Sequence, residues 1–349
     1  MSGSGEPVRR AFVFGGGGVL GFAWMVGALT AIQHELGVEP GPKDLVVGTS
    51  AGSVIAALLG CGVDVDTIRR HQLGMPLPED PSISWNYDAD TGGSLPRRPG
   101  LRPGSPRLVW GGIRRHSAVS PVVALSGLLP RGRGSLQPLS LMLEAVLARS
   151  GRELWPQRRT WIVATDYATG HRAVFGRPGQ PSATLPEAVC SSCAIPAWYA
   201  PVRIDARSYI DGGTASNASV DLIPKNEFDE VYVLAPMAAL QPDSPRSPVA
   251  MVERQVRRAI TRGIAGDVAE LREAGVRVTL LTPGRDDLRV MGANLMNPNR
   301  RTAVLHTAMR TAAVELRNER RALLRRSATS TTEAIPSTPS ASTTPIAAQ

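Results

Sequence analysis

Lysine is almost missing from this 349-residue chain. Lys43 and Lys225 are the only two, although lysine and arginine together number 39, so arginine carries the net charge of +9. That scarcity excludes a Walker-type phosphate loop, which ends in Gly-Lys-Ser/Thr and has no counterpart here. Cysteine is scarce as well. Of Cys61, Cys190 and Cys193, only the last two are spaced Cys-x-x-Cys, in "AVCSSCAIP", outside the βαβ setting of a redox motif. Reduced packing thiols are therefore expected, and no metal site. The five histidines are His34, His71, His116, His171 and His306; none sits in a loop of the sort that presents a triad base, and His306, the best of them, falls inside an amphipathic helix. Residues 11–32 form the one apolar run of membrane-spanning length. Arg9-Arg10 precedes it in the manner of an export signal, but no A-x-A site closes it. Its glycines would each cost about 1 kcal/mol in a helix relative to alanine, so export is disfavoured.

Acidic residues are missing from Thr91 through Leu143, a stretch holding eight arginines. Apolar periodicity fades between Met75 and Arg133, and the segment is too long for a simple connection, which points to a lid, cap or interaction segment over about 75–135. Its arginines suit an anionic membrane surface; a solvated loop of biased composition is the alternative. A basic chain could also meet nucleic acid, although arginine richness with little lysine equally reflects genomic composition.

What is present is alternation. "RRAFVFG" reads as a buried strand, Val19–Leu36 as a helix capped by Gly37, "DLVVG" as a second strand and "SAGSVIAALLGCG" as a helix after a tight turn. This order predicts an α/β layered sheet. A helix at "LQPLSLMLEAVLARSG" and a strand at "RTWIVATDY" follow, with "HRAVF" as hairpin partner across Ala168-Thr169-Gly170. The remainder predicts a strand "EVYVLAPM", an arginine-rich helix near 250–274, a strand "VRVTLLTP" and a helix from about Arg301 to Arg326. Leu305, Met309, Ala312, Leu316 and Leu323 give that last helix one core-packing face. Beyond it the Ser/Thr/Pro-rich tail is expected to be disordered.

Three segments carry chemistry. Gly48-Thr49-Ser50-Ala51-Gly52 is a G-x-S-x-G at a strand-to-helix turn, the setting that raises a serine hydroxyl clear of a sheet. A capping serine among small neighbours is the structural alternative. Gly15-Gly16-Gly17-Gly18-Val19-Leu20-Gly21 also satisfies G-x-G-x-x-G, but the acidic residue of a dinucleotide site is missing from the end of the second strand. If the two strands pair in parallel, both glycine turns lie side by side, and main-chain amides beside a raised serine describe an oxyanion hole. "YIDGG" places Asp211 at a turn with Gly212 and Gly213, where a carboxylate can orient a serine and take its proton.

With these motifs in this order and spacing, the sequence resembles the patatin-like phospholipases, the serine–aspartate acyl hydrolases. "SSCAIPAWYAPVRIDARSYIDGGTASNASVDLI", including Asn217 after the turn, and "ATDYATGHRAVF" extend the likeness over roughly residues 11–235. The resemblance implies a three-layer α/β/α fold with a central, mostly parallel sheet. It implies Ser50 as nucleophile, Asp211 as its partner, and the amides of Gly16, Gly17 and Gly18 as the oxyanion hole, to which Ala51 adds a donor by position. No cofactor or metal is implied. Leu20 stands where many members carry arginine or lysine.

The expected organisation is a flexible 1–10, a hydrolase domain over 11–322 with a C-terminal extension from 236, and a disordered 323–349. The expected activity is hydrolysis of a lipid or other acyl ester by a cytoplasmic protein, with peripheral membrane attachment through residues 91–143 and no nucleic acid. Two rival readings are an esterase with a Ser-His-acid triad and a nucleotide-binding module built on the glycine loop.

Overall fold

Alternation along the strands decides the layers. In β1 (Arg10–Phe14) Phe12 and Phe14 point to one face of a sheet, and Ala11 and Val13 to the other. The same period of two runs through β2 (Leu45–Thr49), β3 (Thr160–Asp166) and β7 (Glu230–Leu234), all but one of whose residues are buried. Strands buried on both faces need cover on both sides. On the first side lie α1 (Gly18–Leu36), α2 (Ala51–Gly60), α3 (Val65–Leu73), α4 (Gln137–Arg149), α5 (Leu185–Ser192) and α8 (Arg301–Thr332). On the second lie α6 (Pro248–Glu273) and the chain from Ala218 to Phe228. The helix α7 (Arg285–Met291) packs on α8. This computed structural model describes residues 8–83, 104–105, 108, 126–241 and 248–332.

The remaining strands are β4 (Arg172–Phe175), β5 (Val202–Ile204), β6 (Arg207–Asp211) and β8 (Arg277–Leu281). Hydrogen-bonded neighbours follow the path β5-β6-β3-β2-β1-β7-β8, with β4 paired to the other edge of β3. The pairs β3–β2, β2–β1, β1–β7 and β7–β8 are parallel, while β3–β4, β3–β6 and β5–β6 are antiparallel. The result is the expected α/β/α architecture with a mostly parallel centre. The hairpin across residues 168–170 forms as expected.

Three features add to or depart from the sequence expectation. First, α1 is apolar and long enough to cross a membrane, yet every residue from Val19 to Ile32 is buried inside the protein, largely under α8. Leu20 is fully buried there, so its side chain serves packing. Second, α8 runs to Thr332, into the segment expected to be a disordered tail from 323. Third, α3 and α5 were not expected, although both carry end signals. The Asp64 side chain accepts from Thr67 N at 2.7 Å, and Thr184 with Glu187 forms a capping box. The N-terminus through residue 7, expected to be flexible, most of the expected 75–135 insertion, residues 91–103 and 109–125 of the arginine-rich stretch, and residues 333–349 lie outside the described residues.

Candidate active site

The site forms at the carboxyl ends of the central strands, where ligands bind in open α/β sheets. Phe14, the last residue of β1, pairs with Gly48 of β2, so the glycine loop and the serine turn leave the sheet side by side. Register also delivers Asp211. Val163 of β3 faces Thr49 on one edge and Val174 on the other; Ala164 faces Asp211 and Ala173. The edges opposite β4 are therefore shared by β2 and β6, which run toward each other and end on consecutive residues of β3. Ser50 and Asp211 meet because parallel β2 stops where antiparallel β6 arrives.

Ser50 occupies φ 52° and ψ −124°, a left-handed backbone that a non-glycine residue adopts only when its surroundings impose it. Those surroundings are visible. Ser50 N donates to Ser192 Oγ at 2.8 Å, and Ser192 Oγ donates to the Val163 carbonyl at 2.6 Å. The Ser50 carbonyl accepts from Ser53 N at 2.8 Å, Ser53 Oγ at 2.6 Å and the Cys193 thiol at 3.3 Å. Gly52 completes the turn, because α2 lies so close to β1 that a Cβ there would overlap the Phe14 carbonyl. Gly52→Ala is accordingly expected to cost about 3 kcal/mol or more of stability, read in a denaturant melt.

Asp211 is buried, and its main chain is held on three sides. Asp211 N donates to the Ala194 carbonyl at 2.9 Å; its own carbonyl accepts from Thr214 Oγ1 at 2.7 Å and Thr165 Oγ1 at 3.1 Å. Its Oδ1 accepts from Gly213 N at 2.7 Å, and the Ser50 side chain also favours the charged form of the carboxylate. Burial disfavours the charged form and pushes the carboxyl up to about 6, against the pull of those two groups. Gly212 packs against the Val163 carbonyl at the start of the turn.

The glycine loop is divided in its roles. Gly15 N donates to Leu234 O and Gly16 N to Asn217 O, each at 2.9 Å. Gly16 is thus a correction to the expected oxyanion hole. Its amide is spent on the chain after the aspartate turn, although a Cβ on Gly16 would lie 3.3 Å from Ser50 Cβ. Gly17 flanks α1, Gly18 opens it at φ 60°, and Ala51 opens α2. Gly21 N closes the loop on Gly17 O at 2.8 Å. Gly18, Ser50 and Ala51 line one cavity of about 60 Å³, with Val19, Phe22, Val54, Leu139 and Met296 among its apolar lining. In the first turn of α1, Leu20 N donates to the Leu295 carbonyl at 2.9 Å, so that amide is not available to a phosphate.

No histidine lines this cavity or bonds Ser50 or Asp211 among the described residues, and His306 is exposed on α8; His116 lies outside the described residues. Among the described residues no group of three or more His, Cys, Asp or Glu could hold a metal ion. Cys61, Cys190 and Cys193 are free thiols, and burial holds Cys193 well above the usual thiol range. Ser192 and the Leu295–Met296 segment were not foreseen. A serine that supports another 142 positions away leaves no local pattern.

Residues 12–223 match the family described as Patatin-like phospholipase. No curated protein matches the chain. Among solved structures it is similar to VipD from Legionella pneumophila, at 16% identity and a TM-score of 0.43, with 90% of this chain and 67% of that one covered. It is also similar to the heterodimeric ExoU–SpcU complex from the type III secretion system of Pseudomonas aeruginosa, at 14% identity and a TM-score of 0.30, covering 93% of this chain and 61% of that one. The family match spans more than half of the sequence and includes all three motifs that converge at the carboxyl ends of the strands: the chain belongs to the patatin-like phospholipase family.

Proposed function

We propose that this protein is a serine hydrolase that cleaves carboxylic ester bonds of lipids with a Ser50–Asp211 dyad. The observation that carries the reading is a serine in strained backbone at the end of β2, where β6 delivers a buried carboxylate whose pKa is raised to about 6. Ser50 Oγ attacks the ester carbonyl while Asp211 takes its proton. The amides of Gly17, Gly18 and Ala51 receive the charge that develops on the carbonyl oxygen, and the start of α2 adds positive potential. Asp211 returns the proton to the departing alcohol, and water then resolves the acyl-enzyme by the same route. The apolar cavity takes the first part of the acyl chain. Every step uses side chains and main-chain amides of this chain. Family membership directs the reading to lipid esters, and a cytoplasmic site with peripheral membrane attachment belongs to the same proposal.

The test is turnover of a short-chain nitrophenyl ester and of phospholipid, together with labelling by a fluorophosphonate. Labelling at Ser50 and release of fatty acid are expected; saturable dinucleotide binding without labelling would overturn the reading. His306→Ala is expected to leave turnover unchanged, whereas a triad enzyme would lose nearly all of it. Because Asp211 must be charged to accept a proton, kcat/KM is expected to rise with pH and level off above an apparent pKa near about 6, read from a pH–rate profile.

A further inference from the structure

The cavity that holds Ser50 opens beside an unusual rim. Ser135, Leu136, Pro138 and Tyr199 line it, and the chain before Ser135 is tied to the same wall: Gly134 N donates to the Trp198 carbonyl at 3.0 Å, and Ala200 N to the Gly134 carbonyl at 3.2 Å. This strap carries Leu128, Leu129, Arg131 and Arg133. Leu128 is 53% exposed and Leu129 43%. Leu141, 57% exposed, lies one turn along α4 from Pro138 and so on the same side of that helix. Leu128 and Leu129 precede the cavity-lining Ser135 by seven and six residues, Leu141 follows the cavity-lining Pro138 by three, and leucines exposed together there are costly in water unless something covers them.

The charge of the rim says what covers it. Arg131 and Arg133 are exposed, and among the described residues neither is ion-paired; the Arg131 Nε donates to the Gly104 carbonyl at 3.1 Å. At the opposite end of the sheet, where the strands begin, arginines are neutralised: Arg9 by Asp229, Arg10 and Arg277 by Glu230, Arg159 by Glu227. The strap belongs to the stretch from Thr91 to Leu143 that contains no acidic residue at all. Unpaired cations are thus placed at the end of the sheet where Ser50 lies.

We propose that Leu128, Leu129 and Leu141, flanked by Arg131 and Arg133, form a docking surface for an anionic lipid bilayer. The leucines enter the headgroup–acyl boundary, the guanidinium groups bind lipid phosphates, and the cavity mouth is seated where an acyl chain can pass from bilayer to Ser50 without crossing water. The inference rests on the lipid hydrolase reading above.

The experiment is co-sedimentation with vesicles of phosphatidylcholine alone or with added phosphatidylglycerol, run in parallel with turnover of a soluble nitrophenyl ester. Wild type is expected to bind the phosphatidylglycerol vesicles at about 0.1 M salt and to release as salt rises toward about 1 M. Arg133→Gln should weaken binding about fivefold, and Leu128→Ser with Leu129→Ser by about tenfold or more. Both variants should keep wild-type turnover of the soluble ester while losing hydrolysis of vesicle lipid. If a strap variant lost soluble turnover through misfolding, Leu141→Ser on α4 would report on the same surface. Equal vesicle binding by wild type and variants, or failure of wild type to prefer anionic vesicles, overturns the docking surface. Failure of wild type to turn over the soluble ester would instead refute the hydrolase reading, while vesicle binding would still be read separately.

Discussion

Replacing Ser50 with alanine is expected to lower turnover of any ester substrate by about 10⁴-fold or more and to abolish fluorophosphonate labelling. The loss should be this large because the other groups at the site cannot act without the hydroxyl: Asp211 has no proton to take, and the amides of Gly17, Gly18 and Ala51 meet no new tetrahedral centre. The fold should survive. Alanine keeps Cβ and the main-chain amide that donates to Ser192 Oγ, and the Ser50 carbonyl keeps its bonds from Ser53 and Cys193. The left-handed backbone at φ 52° is set by those bonds, so it persists without the hydroxyl. Near-wild-type turnover by this variant, with its thermal melt unchanged, would remove the nucleophile from the proposal.

The second expectation couples activity to stability with opposite signs. Asp211→Asn removes the proton acceptor and should also cost several orders of magnitude in kcat, yet it should make the protein more stable at pH 8. The sign follows from the carboxyl's pKa, which folding raises from 3.8 to about 6. In the protonated form the buried group carries no charge, so the native state is favoured most below about pH 4. That advantage is lost as pH rises through about 6, and above this the folded protein bears the full cost of a buried carboxylate. The shift corresponds to at most about 3 kcal/mol, an upper limit because the unfolded chain is not a free peptide. Asparagine keeps an oxygen to accept from Gly213 N and offers an amide hydrogen to Ser50 Oγ, so no buried group is left unpaired. Melting wild type and Asp211→Asn at pH 4 and pH 8 checks this: the variant should gain at pH 8 and show little difference at pH 4. A variant less stable than wild type at pH 8 would mean that the carboxylate is held by attractions stronger than its desolvation cost.

Much of the architecture was legible along the chain because it is built from neighbours. The alternation of Ala11 to Phe14, the glycines between β1 and α1, the turn at Ser50 and the hairpin across residues 168–170 are all determined within a few residues, and each forms as the pattern predicts. Helix ends could have been read further. The Asp64 cap of α3 and the Thr184–Glu187 box of α5 are explicit signals. Gly16 shows the limit. Nothing local distinguishes its amide from those of Gly17 and Gly18, and only the arrival of Asn217, about two hundred positions later, takes it out of the set of free donors.

The sequence by itself therefore determined the strands, the three motifs and the chemical groups each could offer, since these depend on composition and on periods of two to four residues. Only the tertiary structure decided that β2 and β6 end on adjacent residues of β3, that Ser192 rather than a histidine supports the serine turn, and that burial brings Asp211 to about 6. Those outcomes depend on strand register and desolvation, which arise from every part of the chain packed around the site.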